Sequence, residues 1–373
     1  MERFDIVVIG AGIGGASAAA FLAARARVLV LEAEALPGYH TSGRSAAFYA
    51  ETYGGPRVQP LTTASRAFLE MPPAGFADTP LLRPRGALHL ARPTRRHALL
   101  EERDRFPGVT LTLLDADAVA ARLPMMHPDW LDGALWEPDC RDIDTAALLQ
   151  GYLAMVRRTG GEVLTDARVT ALAREAAGWT VTAGDRRFQA PVVVNAAGAW
   201  ADEVAVLAGI APIGFTPLRR TMISFKVPEA QFLPDLPVVL DIDGSFYFKP
   251  DAGTIWASPH DEIPSVPCDA QPDELDIAIT VDRIEAATTF RVRRIERSWA
   301  GLRTFSPDRV PVYGFEPAAP GFFWCSGQGG FGFQTAPAAG ELVAALVHGS
   351  PLPEALQAAG VQPALYAPGR FAR

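Results

Sequence analysis

The run "DIVVIGAGIGG" near the start of the chain constrains its fold more than any other feature. Ile6 to Ile9 are apolar and β-branched without interruption, the pattern of a strand buried on both faces. Gly10, Gly12 and Gly15 follow in G-x-G-x-x-G spacing, and an Ala-rich helix is predicted to about Ala24. Val28 to Leu31 reads as a second strand and ends in Glu32, so the whole is a β-α-β unit of about 30 residues. The glycines differ in purpose. Gly10 allows a tight turn, Gly12 lets the backbone approach a pyrophosphate, and Gly15 lets helix and sheet pack closely. Ile13 and Gly14 lie in the same cradle. Glu32, followed by Ala33, is placed to accept ribose hydroxyls, and an acid there disfavours a 2′-phosphate, which argues against NADP.

The stretch "GYHTSGRSAAFY", Gly38 to Tyr49, separates FAD from NAD. After the ribose acid an NAD enzyme usually proceeds to its next α/β unit. Here a long loop follows, rich in backbone donors and in the hydroxyls of Thr41, Ser42 and Ser45, with Gly43, Arg44 and Ala46 among them. Such a loop runs along a pyrophosphate and reaches an isoalloxazine ring. The segment "GQGGFGFQT" supplies the other half: a loop over Gly329, Gly330, Phe331, Gly332, Phe333, Gln334 and Thr335, then a helix from about Ala336 to Val347. A helix N-terminus at the pyrimidine end of the ring stabilises the anionic reduced flavin. FAD, held without a covalent bond, is the expected cofactor. Cys325 sits near this loop but reads as a small buried strand residue, and Trp200 and Trp299 read as packing residues.

The remaining chain alternates between two characters. "DIDTAALLQGYLAMVRRTGG" is a helix capped by Asp144 or Thr145 and stopped at Gly160, and "EVLT", "ARVTAL", "WTVTA" and "RRFQA" are strands, the last two a hairpin. "PVVVNAAGAW" is a buried strand running into small residues, where Ala197 and Gly198, with Val169 nearby in the preceding strands, join the cofactor set. "GALHLAR" alternates like a strand with one wet face. From Pro212 to Arg297 the chain is Pro-rich with alternating strands, as in an antiparallel sheet. The expected fold is α/β: an FAD-binding Rossmann-like domain (residues 1–75, 143–212 and 298–373) with an inserted α+β substrate-binding domain built on an antiparallel sheet (76–142 and 213–297).

Composition excludes several classes of function. A net charge of −8 argues against a nucleic-acid partner, whose phosphates require a basic surface. The scattered Cys140, Cys268 and Cys325 form neither a disulfide framework nor a metal-ligand spacing, and the six histidines form no HxxxH or HExxH pair, so no metal is expected. No apolar run reaches the roughly 18 residues of a membrane span, and no leader precedes the first strand, so a cytoplasmic location is expected.

The motifs "VIGAGIGGAS", "LPGYHTSGRSAAFY", "PPAGFADTPLL", "DIDTAALLQGYL", "VVVNAAGAWAD", "SFYFKPDAG", "WAGLRTF" and "GFFWCSGQGGFGFQT" carry a resemblance that runs nearly end to end. The chain resembles the D-amino-acid oxidase and glycine oxidase superfamily of FAD-dependent amine oxidoreductases. Within it, the chain is most similar to the bacterial FAD-dependent D-arginine dehydrogenases. The resemblance implies hydride transfer from the α-carbon of a D-amino acid to flavin N5, giving an imino acid that hydrolyses to a keto acid. It implies that Arg220 and Tyr247 clamp the carboxylate, that Tyr53 closes over the substrate and that Arg303 is an active-site arginine. The Gly330 carbonyl would then accept from the substrate amine, with Gln334 near the flavin edge.

Two departures bear on specificity. The acid that holds a cationic side chain in that subgroup falls at Ala87, and Phe48 replaces a histidine of the active-site loop. Both point to neutral or hydrophobic D-amino acids, and losing a charge-assisted partner costs arginine roughly 1.5–3 kcal/mol. The electron acceptor is an unidentified quinone or other carrier. The alternatives are an oxygen-using oxidase of the same fold and a non-catalytic flavoprotein assembly factor.

Overall fold

The computed structural model describes residues 1–46 and 48–371. Its organising element is a six-stranded sheet in the order Glu162–Leu164, Val28–Leu31, Ile6–Ile9, Val192–Asn195, Phe322–Ser326, Val312–Phe315. All neighbours are parallel except the last pair. Alternation of side chains across these strands divides the core in two. Ile6, Val8, Val28, Val30, Val194 and Phe323 face a helical layer, whereas Val7, Ile9, Leu29, Leu31, Val193 and Trp324 face the other way. The helical layer contains Ile13–Leu22, Thr145–Arg158 and Gly332–His348. The opposite layer is a second sheet of Glu2–Arg3, Arg186–Ala190, Gly178–Ala183 and Val169–Glu175, which supplies Trp179, Val181 and Phe188.

The alanines of the first helix are the reason this layer is thin. Ile13–Leu22 lies against Gly332–His348, and a Cβ on Gly340 would stand 2.8 Å from the Ser17 carbonyl oxygen. At the other end, Gly10 has φ +104° and a Cβ there would stand 2.5 Å from the Ala196 carbonyl oxygen. Only glycine meets both conditions.

The second half of the molecule is a nine-stranded sheet. Its path runs Ile263–Pro264, Thr216–Phe225, Thr254–Ser258, Tyr247–Asp251, Val238–Asp241, Ala87–Ala91, Gly133–Glu137, Thr112–Asp115, and Ile295–Phe305 pairs with Thr216–Phe225. It is antiparallel as expected, with one exception: Ala87–Ala91 runs parallel to Val238–Asp241. Ala87–Ala91 has no wet face, because Leu88 and Leu90 pack in one core cluster and Ala87 and Ala91 in two others, leaving only His89 partly exposed. The strand Ile295–Phe305 passes through the boundary expected at residue 298 and stays in the large sheet throughout.

The last long helix begins at Gly332, not Ala336, so Phe333, Gln334 and Thr335 form its first turn. Pro337 lies inside it and deprives only the Phe333 carbonyl of a helical donor. Among the described residues, no helix is long and apolar enough to cross a membrane.

The tightest contact sets a test. A Cβ on Gly15 would lie 2.0 Å from the Gly10 carbonyl oxygen and 3.1 Å from the Ala196 Cβ. Gly15→Ala is therefore expected to lose roughly 1–3 kcal/mol and to purify with a lower flavin-to-protein ratio, read from absorbance and a thermal melt.

Candidate functional site

Two contiguous clefts, of about 910 and 1100 Å³, share Gly12, Thr41, Ser42, Ala196 and Gly198 and form one groove across the end of the parallel sheet. The 910 Å³ part is walled by Gly10, Glu32, Ala33, Val169, Ala197 and Trp200. Glu32 is buried at the end of its strand. Its Oε2 accepts from the Ala11 N–H at 2.8 Å and its Oε1 from the Glu34 N–H at 3.0 Å. These bonds orient the carboxylate and leave further lone pairs at the groove wall. His40 pairs with Glu34 at 3.0 Å, and its Nδ1 is buried without a partner on the same wall.

Midway, the groove crosses the N-terminus of the helix Ile13–Leu22, where first-turn amides have no intrahelical acceptor. Ser42 Oγ accepts from the Ile13 N–H at 3.0 Å. A Cβ on Gly12 would meet nothing but that hydroxyl, and one on Gly198 would meet nothing within 4 Å. The glycines thus open a cradle rather than fill one.

Thr41–Arg44 forms a short 3₁₀ turn fastened to the large sheet. Thr41 Oγ1 donates to the Leu302 carbonyl at 2.6 Å, and Arg44 donates to the carbonyls of Ala270 at 2.7 Å and Ala300 at 3.0 Å. Arg44 also pairs with Asp269, whose carboxyl it holds below its usual range, and Trp299 Nε1 donates to the Arg44 carbonyl at 3.0 Å.

At the wide end, Phe48, Tyr53, Arg220, Tyr247, Arg303 and Gly330 come together in one cavity, as the resemblance implies. Arg303 Nη2 and the Tyr53 hydroxyl converge on Gly330: a Cβ there would lie 2.0 and 2.2 Å from them. Arg220 is anchored from behind by the Asp261 carbonyl, which accepts from its Nε at 2.7 Å, while Asp261's carboxylate accepts from the Thr221 N–H at 2.8 Å. Glu262 Oε1 stands 2.8 Å from Arg309 Nη2, 3.5 Å from Arg220 Nη2 and 3.9 Å from Arg303 Nη1. Burial, with Arg309 nearby, pushes Arg303 down to about 9, so it remains cationic at neutral pH. Burial raises the Tyr247 phenol above its ordinary value and keeps it a donor.

Several expected cofactor residues do not reach the groove. Gly15 serves packing alone, and Gly43 turns the loop, its N–H donating to the Gly38 carbonyl at 2.6 Å. Phe331 is buried against Val58, Leu218 and Phe305, and the Thr335 hydroxyl donates to the Phe331 carbonyl at 2.9 Å. Gln334 is consumed by the Tyr53 segment: its Nε2 donates to the Tyr53 carbonyl at 2.9 Å and to Thr62 Oγ1 at 2.8 Å, and its Oε1 accepts from the Ala50 N–H at 3.3 Å. The helix starts early enough to turn these three side chains inward. Ala87 lines an adjoining cavity with Phe48, Tyr53, Leu240, His89 and His260, not the main groove. Cys325 lies in the core, and burial pushes its thiol up to about 12, which leaves no thiolate for a covalent link. Trp299 packs on Trp256, but Trp200 walls the groove and is more than packing.

His260 escaped the sequence reading. It lines both substrate-side cavities and has φ +59°, a left-handed conformation that non-glycine residues seldom adopt. Its ring stands edge-on to Tyr247 at 5.6 Å. Burial, then Arg220, pushes it down to about 3, so the imidazole is neutral at working pH. No local motif announces it. Among the described residues, no group of three or more His, Cys, Asp or Glu could hold a metal ion.

The groove runs from the buried glutamate past a helix N-terminus and ends where two guanidinium groups meet two phenols, the layout of a dinucleotide-binding α/β fold with a second site at its far end. The chain belongs to the FAD dependent oxidoreductase (DAO) family, which matches residues 5–346. It is 30% identical, over 98% of its length, to the tRNA 5-methylaminomethyl-2-thiouridine biosynthesis bifunctional protein of Caulobacter sp. (strain K31), and spans 57% of that relative. Glycine oxidase from Geobacillus kaustophilus superposes with a TM-score of 0.83 at 21% identity, over 94% of this chain and 96% of that one. L-proline dehydrogenase from P. horikoshii gives 0.81 at 22% identity, over 99% and 98%. The cradle, the glutamate and the orphaned His40 nitrogen fit FAD.

His260 carries a pH signature. An unfolded histidine binds its proton below about 6.5, whereas this one stays neutral down to about 3 when folded. The folded state therefore has its full advantage above pH 6.5 and loses it as pH falls toward 3. In urea titrations at pH 7 and pH 4.5, His260→Gln is expected to lose less stability on acidification than the wild type.

Proposed function

We propose that the protein oxidises free D-amino acids with neutral, mainly apolar side chains in preference to arginine, and passes the electrons to an acceptor other than oxygen. Bound FAD supplies the hydride acceptor, its N5, for the hydrogen leaving the substrate α-carbon. The chain's own residues orient that carbon. Arg220 and Tyr247 hold the carboxylate by a guanidinium and a phenol donor, with Arg303 and Tyr53 beside it. Neutral His260 adds no positive charge against the substrate amine. The product imine leaves and takes up water, giving a 2-keto acid and ammonia.

The observation that carries the substrate reading is the wall beyond Tyr53. Ala87, Ala50, Val238, Phe48 and Leu240 form one apolar cluster there. Glu137 lies across the ladder from Ala87 but is fully buried and hydrogen-bonded to other groups. Two other carboxylates border the adjoining cavity. Glu102 pairs with Arg105, and Asp241 accepts from Ser245 through Oδ2 and keeps a buried Oδ1 without a partner. It is therefore the apolar wall that disfavours a cationic side chain, and not a want of acid.

The direct test is anaerobic titration with D- and L-amino acids, following loss of flavin absorbance. Bleaching by D-leucine or D-methionine but not their L-forms is expected, with slow recovery in air. Preferential bleaching by L-proline or another secondary amine would overturn the substrate class, and fast reoxidation would make the enzyme an oxidase. No bleaching by any of them would favour the assembly-factor reading. Ala87→Glu is expected to raise kcat/KM for D-arginine relative to D-leucine by about 10- to 150-fold. The same variant should melt earlier, because its new carboxylate lies opposite Glu137.

A further inference from the structure

We infer that Glu137 is a positioning residue that fixes Tyr53 over the substrate cavity. Glu137 ends the strand Gly133–Glu137 in the large sheet and is 1% exposed. Its Oε1 accepts from the Glu51 N–H at 2.7 Å and the Thr52 N–H at 3.4 Å. Its Oε2 accepts from Thr52 Oγ1 at 2.7 Å and lies 3.4 Å from His89 Nε2. Two consecutive backbone amides and one hydroxyl of the segment preceding Tyr53 thus end on a single carboxylate.

The far side is built differently. Gly54 and Gly55 follow directly, with φ +101° and +85°, and supply no side chain to pack. Tyr53 is therefore fixed by Glu137 from the large sheet, through the two residues before it, and by Gln334 from the nucleotide half, which accepts from the Ala50 N–H and donates to the Tyr53 carbonyl itself. Glu51 adds a tie to the helix Gln59–Glu70, accepting from Thr63 Oγ1 at 2.5 Å. A satisfied buried carboxylate gives such a segment one geometry, because each lost bond strands a polar group. The phenol so placed stands beside Arg303 and Gly330. Thr52 and His89, two of the donors, also line the adjoining cavity, so the hydrogen bonds that set the lid border the space a substrate side chain would enter.

The catalytic consequence rests on the amino-acid reading of the cleft, but the holding role does not, and the experiment separates them. In the holoenzyme, Glu137→Leu keeps the volume and removes every acceptor, and Glu137→Gln keeps one. Hydrogen exchange at the amides of 51 and 52 is expected to quicken at least tenfold in Glu137→Leu and less in Glu137→Gln, with the amides of 13–16 unchanged. The Kd of propionate, read from the flavin difference spectrum without turnover, should rise about tenfold. KM for the best substrate should rise similarly while kcat stays within twofold. In a Tyr53→Phe background both effects should shrink, because Glu137 acts through that phenol.

Unchanged exchange, or faster exchange with unchanged propionate affinity, overturns the proposal. So does a KM effect that persists in full without the Tyr53 hydroxyl. If Glu137→Leu does not fold, the Glu137→Gln arm decides by the same readings. If no amino acid reduces the flavin, the exchange and propionate arms still decide the role of Glu137, and only the substrate reading fails.

Discussion

The loop 38–46 ties the two halves of this protein together, bonded to the nucleotide half through Ser42 and to the large sheet through Thr41 and Arg44. Residues 38–46 follow the strand that ends at Leu31 and the buried Glu32, and are clasped by the large sheet through Arg44, Thr41 and Trp299. The Arg44 guanidinium satisfies two buried carbonyls and one carboxylate at once, a use to which a planar five-donor group is suited and an ammonium is not. If the clasp opened, Ser42 would leave the helix N-terminus and the floor of the groove would separate from its ceiling. The cofactor groove and the substrate cavity are in this sense one mechanical object.

The substrate end is built on charge that folding alone would not choose. Among the described residues, the carboxylate oxygen that pairs with the buried Arg303 stands 3.9 Å away, and burial, with Arg309 nearby, lowers the proton affinity of this guanidinium. Arg220 differs, because Asp261 and Glu262 were supplied with it. A site with one well-paired and one loosely paired guanidinium attracts an anion more strongly than a site with two satisfied ones. The left-handed backbone of His260 is a second strain in the same cavity, and a neutral ring there spares the site a third positive charge.

Much of this could be read from local sequence, and the exceptions share a cause. The glycine spacing, the acid at 32, the helix from Thr145 and the strand–loop–helix at the C-terminal end are short-range patterns and were legible as such. The inward turn of Phe331, Gln334 and Thr335 was not, because it depends on four extra residues of helix tolerated around Pro337. Nor was the parallel pairing of Ala87–Ala91 with Val238–Asp241, or the packing of Ala87 with Ala50 and of Ala91 with Leu99, which removes the wet face that alternation implied. His260 and Glu137 were invisible for a related reason: Glu137 acquires its role from Glu51 and Thr52, 86 and 85 residues earlier, and His260 from Tyr247 and Arg220, 13 and 40 residues earlier on other strands. Resemblance named residues that the structure gathers around one cavity, but not the groups that hold them.

The central strand order has a consequence for how the protein is made. Ile6–Ile9 takes Val192–Asn195 as its neighbour, and that strand in turn takes Phe322–Ser326. The sheet begun by Ile6–Ile9 therefore waits for strands made much later, and Ile13–Leu22 waits likewise for the helix Gly332–His348 that packs on it. Contacts so distant along the chain form slowly. The nascent glycine loop passes through synthesis as a half-built cradle, and its ligand stabilises only the finished molecule. Flavin supply should thus affect how long the completed protein survives more than how fast it is completed.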